Sequence, residues 1–194
     1  MNLSALSANQ QQKLEKLFAF IKDNGFHQTM EGIASGINVT PKTLFNRYQN
    51  KENMEEQVQK YWCDKFWDRF KAKQRFCNNA IEELVLLSFE LDQSHDEESH
   101  FFNREFSIDK MLTEGISPVF SSHTSSIINE GIEKGFFHNH STPSQYTDYY
   151  LFNICTLFIN RNFKTDLLRY IFVSLLTDYG KAVFSEINLD SLAG

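Results

Sequence analysis

Glycine and proline are scarce in this 194-residue chain, at 8 and 3 residues. Sandwiches and barrels need such turn residues at short intervals, and no strand-like alternation stands out, so the chain reads as helical throughout. Cysteine is rare too. Cys63, Cys77 and Cys155 are odd in number and widely spaced, which argues against a disulfide framework and points to buried, reduced thiols. No run of about 18 apolar residues occurs, so no bilayer-spanning helix is expected, and the amino-terminal segment lacks the charged start, apolar core and cleavage site of a secretion signal. A cytoplasmic location is the expectation. Catalytic signatures are missing as well: there is no glycine-rich phosphate loop, nucleophile elbow or HExxH zinc helix. Ser94, His95 and Asp96 name a hydrolase triad in order, but consecutive residues cannot aim their side chains along one relay. The histidines of segment 94–100, and His138 with His140, lie among polar and acidic neighbours, the composition of surface loops rather than of a metal centre. No enzyme, cofactor or metal is expected.

The most informative stretch that is present runs from Thr40 to Glu52, TPKTLFNRYQNKE. A threonine before proline is pushed out of the helical region and its hydroxyl can cap the free amides beyond it, while Pro41 at the first helical position loses no useful donor. A helix therefore starts at Pro41. Leu44 and Tyr48 recur at helical spacing and can pack inward, which leaves Lys42, Thr43, Asn46 and Arg47 on the other faces. Those are side chains suited to phosphates and base edges. Asn50 can cap the helix that follows, placing Lys51 where free backbone amides already favour a phosphate.

The preceding residues supply the partner elements. Leu14, Leu17, Phe18 and Ile21 fall at i, i+3, i+4 and i+7, after Ser7 and Gln10 in capping-box spacing and before a closing Gly25. Thr29 caps a second short helix whose Met30, Ile33, Ala34 and Ile37 face the first, and Asn38 stands at a turn position that tolerates left-handed backbone. Two short helices joined by a tight turn form a helix-turn-helix.

At this point the sequence resembles the tetracycline-repressor (TetR) family of bacterial transcription regulators. The resemblance runs through Gly25-Phe26, Thr29, Ile33-Ala34, Val39-Thr40, Thr43 to Phe45, Tyr48 and Lys51-Glu52, about fifty residues in all. Three positions depart from the family pattern: Asn38 replaces the usual turn glycine, Phe45 a tyrosine, and Arg47 a histidine or tyrosine. The loop after Gly25 is also one residue shorter than is common. Phe45 lacks the hydroxyl that typically contacts a phosphate, whereas Arg47 brings a full charge and a planar fork. The resemblance implies contacts from Lys42, Thr43, Asn46 and Arg47 to bases or phosphates of a double-stranded operator, with Thr29, Thr40, Phe45, Tyr48 and Lys51 positioning the backbone.

Charge follows the same division. The chain carries −6 overall, yet residues 1–75 hold 12 Lys and Arg against 8 Asp and Glu, a net of +4, and the remainder 7 against 17, a net of −10. A basic head attracts phosphate while an acidic body is repelled, so binding should be oriented and sensitive to salt. An acidic body is equally a soluble surface.

Beyond the head, a long helix is predicted from Lys51 to about Lys73, with Met54, Val58, Trp62 and Phe66 along one side. Further helices are predicted over 78–94, 99–112 and 118–134, closed by Gly135 and the polar stretch 139–144. The last two segments, 144–160 and 165–184, are apolar on more than one face, through Tyr149, Ile154, Leu157 and Phe158 in the first and Leu168, Phe172, Leu175 and Tyr179 in the second. Helices of that kind need partners on two sides, which a homodimer joining two such pairs into a four-helix bundle provides. The resemblance implies the same interface.

Trp62, Phe66, Phe89, Phe102, Phe106 and Phe120 are candidate lining for a pocket taking a small hydrophobic effector, although such aromatics serve equally as plain core. The expectation is thus an all-α protein: a three-helix DNA-binding head over 1–50, a connecting helix over 51–73, and a ligand-binding and dimerisation body over 74–194. It would act as a homodimeric repressor of a palindromic operator, released by ligand. The alternative keeps the head and makes the body a protein-interaction module without a ligand.

Overall fold

The computed structural model describes residues 8–97, 117–159 and 165–192, and these are helical apart from short turns and one isolated β-bridge. The helices are α1 (Ala8–Asn24), α2 (Met30–Gly36), α3 (Pro41–Tyr48), α4 (Lys51–Gln74), α5 (Ala80–Glu97), α6 (Ser117–Glu133), α7 (Pro143–Ile159), α8 (Thr165–Leu175), α9 (Asp178–Glu186) and the single turn α10 (Leu189–Leu192). The helix expected over 99–112 lies outside the described residues, as does Ser7 of the expected capping box. The described residues form two compact units, 8–68 and 69–95 with 117–192. The division falls inside α4.

In the first unit α1 buries Leu14, Leu17 and Ile21. It ends where predicted, on Gly25 at φ 74°, whose amide donates to the Ile21 carbonyl at 2.7 Å. The α1–α2 approach is close: a β-carbon on Gly36 would stand 2.0 Å from the Phe20 ring, a constraint that helical periodicity does not reveal. From Tyr61 to Trp67, α4 buries Tyr61, Trp62, Cys63, Phe66 and Trp67, so it is enclosed on more than one side. Phe18 of α1 meets Tyr61 with ring centroids 5.4 Å apart, and Phe66 stands edge-on to Trp67 at 5.3 Å. Burial pushes the Tyr61 phenol up to about 12, with the charge of Glu15 adding to it. Burial likewise raises the Cys63 thiol to about 12, which leaves it an inert thiol rather than a nucleophile.

The second unit is organised around α5. Leu84, Val85 and Leu87 are fully enclosed, and the hydroxyls of Ser88 and of Tyr150 on α7 lie 2.8 Å apart and each 2.9 Å from the Leu84 carbonyl, a buried triangle of oxygens held by two protons. A carboxylate is buried on the same helix. Glu90, only 1% exposed, accepts from Arg69 Nε at 2.8 Å and from Lys73 Nζ at 2.5 Å, and Arg69 also reaches the Ser94 hydroxyl. Two cations at the end of α4 thereby pair with a buried carboxylate and satisfy both of its oxygens.

One expected helix is in fact two. The apolar pattern over 165–184 suggested continuity, but the chain breaks at Leu176 and Thr177. Thr177 is extended (φ −61°, ψ 170°), and its hydroxyl accepts from the Gly180 amide at 3.0 Å to cap α9. The break is fixed from a distance: Leu176 bridges Phe137, the Thr177 amide donates to the Phe136 carbonyl at 3.0 Å, and its hydroxyl donates to Gly135 at 2.7 Å. A β-carbon on Gly180 would lie 2.1 Å from the Phe136 carbonyl oxygen, so glycine alone fits there.

The Glu90 cluster yields a stability prediction. Glu90→Ala strips two charge-assisted hydrogen bonds and leaves Arg69 and Lys73 to rehydrate, an expected loss of about 2 kcal/mol. Glu90→Gln, which keeps the acceptor without the charge, should lose roughly half of that. Urea denaturation of the three proteins measures both, and equal midpoints would show that the cluster contributes nothing.

Candidate nucleic-acid interface

The α2–turn–α3 unit is built by caps that act within a few residues. The Thr29 hydroxyl accepts from the Gly32 amide at 3.1 Å, starting α2, whose Met30, Ile33 and Ala34 are buried. After α2, Asn38 adopts φ 58°, the left-handed turn that asparagine tolerates among non-glycine residues. That turn lets the Val39 amide reach the Ala34 carbonyl at 2.9 Å. Thr40 then caps α3 as predicted, accepting from the Thr43 amide at 3.2 Å with its hydroxyl 2.8 Å from that of Thr43, and Pro41 occupies the first helical position.

On α3, Leu44 and Tyr48 are buried while Lys42, Thr43 and Asn46 are exposed. Phe45 is 40% exposed, a large apolar side chain open to solvent. Arg47 is half-buried and turns back: its Nη2 donates to the Gln10 carbonyl of α1 at 3.2 Å, and its guanidinium lies 5.4 Å from the Tyr48 ring centre. Tyr48, at 2% exposure, holds α3 in place and offers a phosphate little; burial raises its phenol, against the nearby Arg47 charge. The helix stops at Gln49, φ 69°, and Asn50 caps α4 by accepting from the Asn53 amide at 2.8 Å. Lys51 stands at the first position of α4, 3.4 Å from Glu55 and still one-third exposed.

The remaining expected sites divide in ways the sequence did not reveal. Of the pocket candidates, Trp62 and Phe66 belong to the first unit, Phe89 and Phe120 to the second, and Phe102 and Phe106 lie outside the described residues. Of the expected interface residues, Ile154, Leu168, Phe172 and Leu175 sit in the chain's own core, at 3% exposure or less. Tyr149 and Tyr179 are exposed at 43% and 60%, Leu157 is half-buried, and the side chain of Phe158 lies outside the described residues. The exposed apolar set also includes Phe152, part of the apolar pattern of 144–160, and three residues of α8 not expected beforehand, Leu167, Tyr170 and Val173. Helical spacing alone held the signal, since 167, 170 and 173 follow a face opposite to 168, 172 and 175. His138 and His140 stack at 5.0 Å. Among the described residues there is no group of three His, Cys, Asp or Glu placed to hold a metal, and no helix long and apolar enough to cross a membrane.

No protein-family model matches the sequence, and no curated protein matches it. Solved structures do match its fold. A TetR-family transcriptional regulator from Pectobacterium atrosepticum aligns over 95% of this chain and 94% of its own, with a TM-score of 0.64 at 11% identity. The transcriptional regulator FadR from Bacillus subtilis, in complex with stearoyl-CoA, aligns over 86% and 97%, with a TM-score of 0.64 at 15% identity. AibR, in complex with isovaleryl coenzyme A and operator DNA, aligns over 86% and 97%, with a TM-score of 0.57 at 17% identity. The chain therefore has the all-helical fold of the TetR-type regulators, an amino-terminal helix-turn-helix followed by a helical body.

Proposed function

We propose that this protein is a DNA-binding transcription regulator that recognises a palindromic operator as a homodimer and is released from it by a small hydrophobic ligand, hence a repressor. The observation that carries the reading is α3 itself. It is capped, started and anchored by Thr40, Pro41, Leu44 and Tyr48, while Lys42, Thr43 and Asn46 stand clear of the packing on its other faces. That is the arrangement a helix needs to enter the major groove with its side chains free to meet base edges and phosphates. Support for a ligand comes from the neighbours, two of which hold acyl-CoA molecules. In this reading the head comprises about residues 1–50, α4 is the connector, and the body from about 74 onward carries effector and dimer contacts.

Dimerisation rests on the outward face of α7 to α9. Tyr149, Phe152, Leu167, Tyr170, Val173 and Tyr179 leave large apolar surface in water, and Tyr149 is held 3.0 Å from the Ser174 hydroxyl, which ties α7 to α8. Exposed apolar patches of this extent on soluble proteins mark contact surfaces. A symmetric pairing there would set two α3 helices about one DNA turn apart, roughly 34–36 Å. Release follows if the ligand binds better to the dimer whose heads are wrongly spaced; a ligand with equal affinity for both states would shift nothing.

These assignments can be tested one at a time. Lys51→Ala, which removes one cation from each head of the dimer, should weaken binding to every duplex and lower the salt slope by about 1.8, while Arg47→Ala should weaken operator binding by about tenfold, or about 1.4 kcal/mol. Gel-shift titrations at two salt concentrations, with an operator recovered from genomic fragments retained by the protein, test both; if neither variant differed from the parent, this docking would be wrong. For the dimer, Phe152→Glu combined with Tyr170→Glu should yield monomers in analytical ultracentrifugation with unchanged helical content. A variant that still sediments as a dimer would place the interface elsewhere.

A further inference from the structure

Between α1 and α3 lies a groove of about 200 Å³, lined by Gln12, Lys13 and Lys16 from α1 and by Asn38, Thr43 and Arg47 from the turn and α3. Three of these side chains are cations, and none of the groove's lining residues is Asp or Glu. In a chain of net charge −6, a concave site with three positive groups and no acid is a departure from the average surface. Clefts lined by one sign of charge concentrate the field and draw in counter-ions. The site is also organised: Arg47 is fixed at the groove by its 3.2 Å bond to the Gln10 carbonyl and by the Tyr48 ring. Gln12, Asn38 and Thr43 add amide and hydroxyl donors of the kind that bind phosphate oxygens.

The groove is continuous with the proposed reading surface, because Thr43 and Arg47 belong to both. We infer that α1 is a second DNA-contacting element, in which Lys13 and Lys16, together with Arg47, clamp the sugar-phosphate backbone of duplex DNA while α3 occupies the adjacent major groove. This inference rests on the DNA-binding reading above and extends it to a helix whose sequence pattern shows only a scaffold. Its role is register and affinity, not sequence choice, since contacts to phosphates carry no direct base information. Arg47 then has a defined role. Bound to the Gln10 carbonyl of α1 and lining the groove beside the two lysines, it is held at a fixed place relative to Lys13 and Lys16.

The test is a salt titration of the full-length protein by fluorescence anisotropy, using the recovered operator duplex and a scrambled duplex between about 50 and 200 mM salt. Each phosphate contact contributes about 0.9 to the log-log slope. Lys13→Gln with Lys16→Gln removes four cations from the dimer and should therefore lower the slope by roughly 3.6 on both duplexes, and leave the ratio of operator to scrambled affinity unchanged. Lys13→Arg with Lys16→Arg, which retains the charge, should keep the parental slope. Both lysines are exposed, and a thermal melt checks that the variants are folded. If the glutamine variant keeps the parental slope while Lys51→Ala lowers it, the α1 clamp is wrong and the DNA-binding reading stands. If the operator-to-scrambled ratio collapses with no change of slope, the lysines act through α3 and the clamp is again wrong. If the parent protein binds neither duplex, the DNA-binding reading and the clamp fall together.

Discussion

Everything the head can do depends on a reversal of the backbone at one residue. Asn38 takes φ 58°, and from that turn two consequences follow: Val39 returns its amide to Ala34, ending α2, and Thr40 is delivered in extended form with its hydroxyl over the first amides of α3. A residue forbidden the left-handed region would send the chain elsewhere at a cost of about 1–2 kcal/mol, and α3 would lose its fixed angle to α2. Asparagine meets this demand without glycine's extra freedom in the unfolded chain. The departure from the family's usual glycine is thus physically conservative.

Much of this was legible because it is local. Thr29, Thr40 and Asn50 each bond an amide three residues on, Pro41 and Gly25 act on their own φ, and Leu44 and Tyr48 obey helical spacing. What the sequence hid involves partners far along the chain. α8 ends because Gly135 and Phe136 hold Thr177 and Phe137 bridges Leu176, some forty residues away, although the pair Thr177-Asp178 is a readable helix-start signal that a continuous apolar pattern obscures. The terminal helices were known to be apolar on several faces, but periodicity cannot say which face meets the chain's own core. Hence Ile154, Leu168, Phe172 and Leu175 were grouped with Tyr149 and Tyr179, from which the fold separates them. Arg47 was read as an outward side chain, and only the position of α1 explains its return to Gln10.

The second unit carries a different kind of constraint. Glu90 is buried on α5, and its carboxylate is held there by bonds from Arg69 and Lys73. Those two residues are one helical turn apart at the end of α4, so the cluster specifies both the rotation and the axial position of that segment on α5. Apolar packing alone would permit small slips along the helix axis; a carboxylate with two directed bonds does not.

The construction of α3 has a further consequence, for how such a protein diversifies. The residues that make the helix, Thr40, Pro41, Leu44 and Tyr48, are distinct from Lys42, Thr43 and Asn46, which lie outside its packing. The residues that fold this eight-residue helix and those it leaves to solvent are therefore largely different letters. Exchange at Lys42 or Asn46 leaves the caps and the core untouched, so the outward chemistry of the helix can change without passing through unfolded intermediates, whereas exchange at Thr43 removes a hydroxyl from the Thr40 cap.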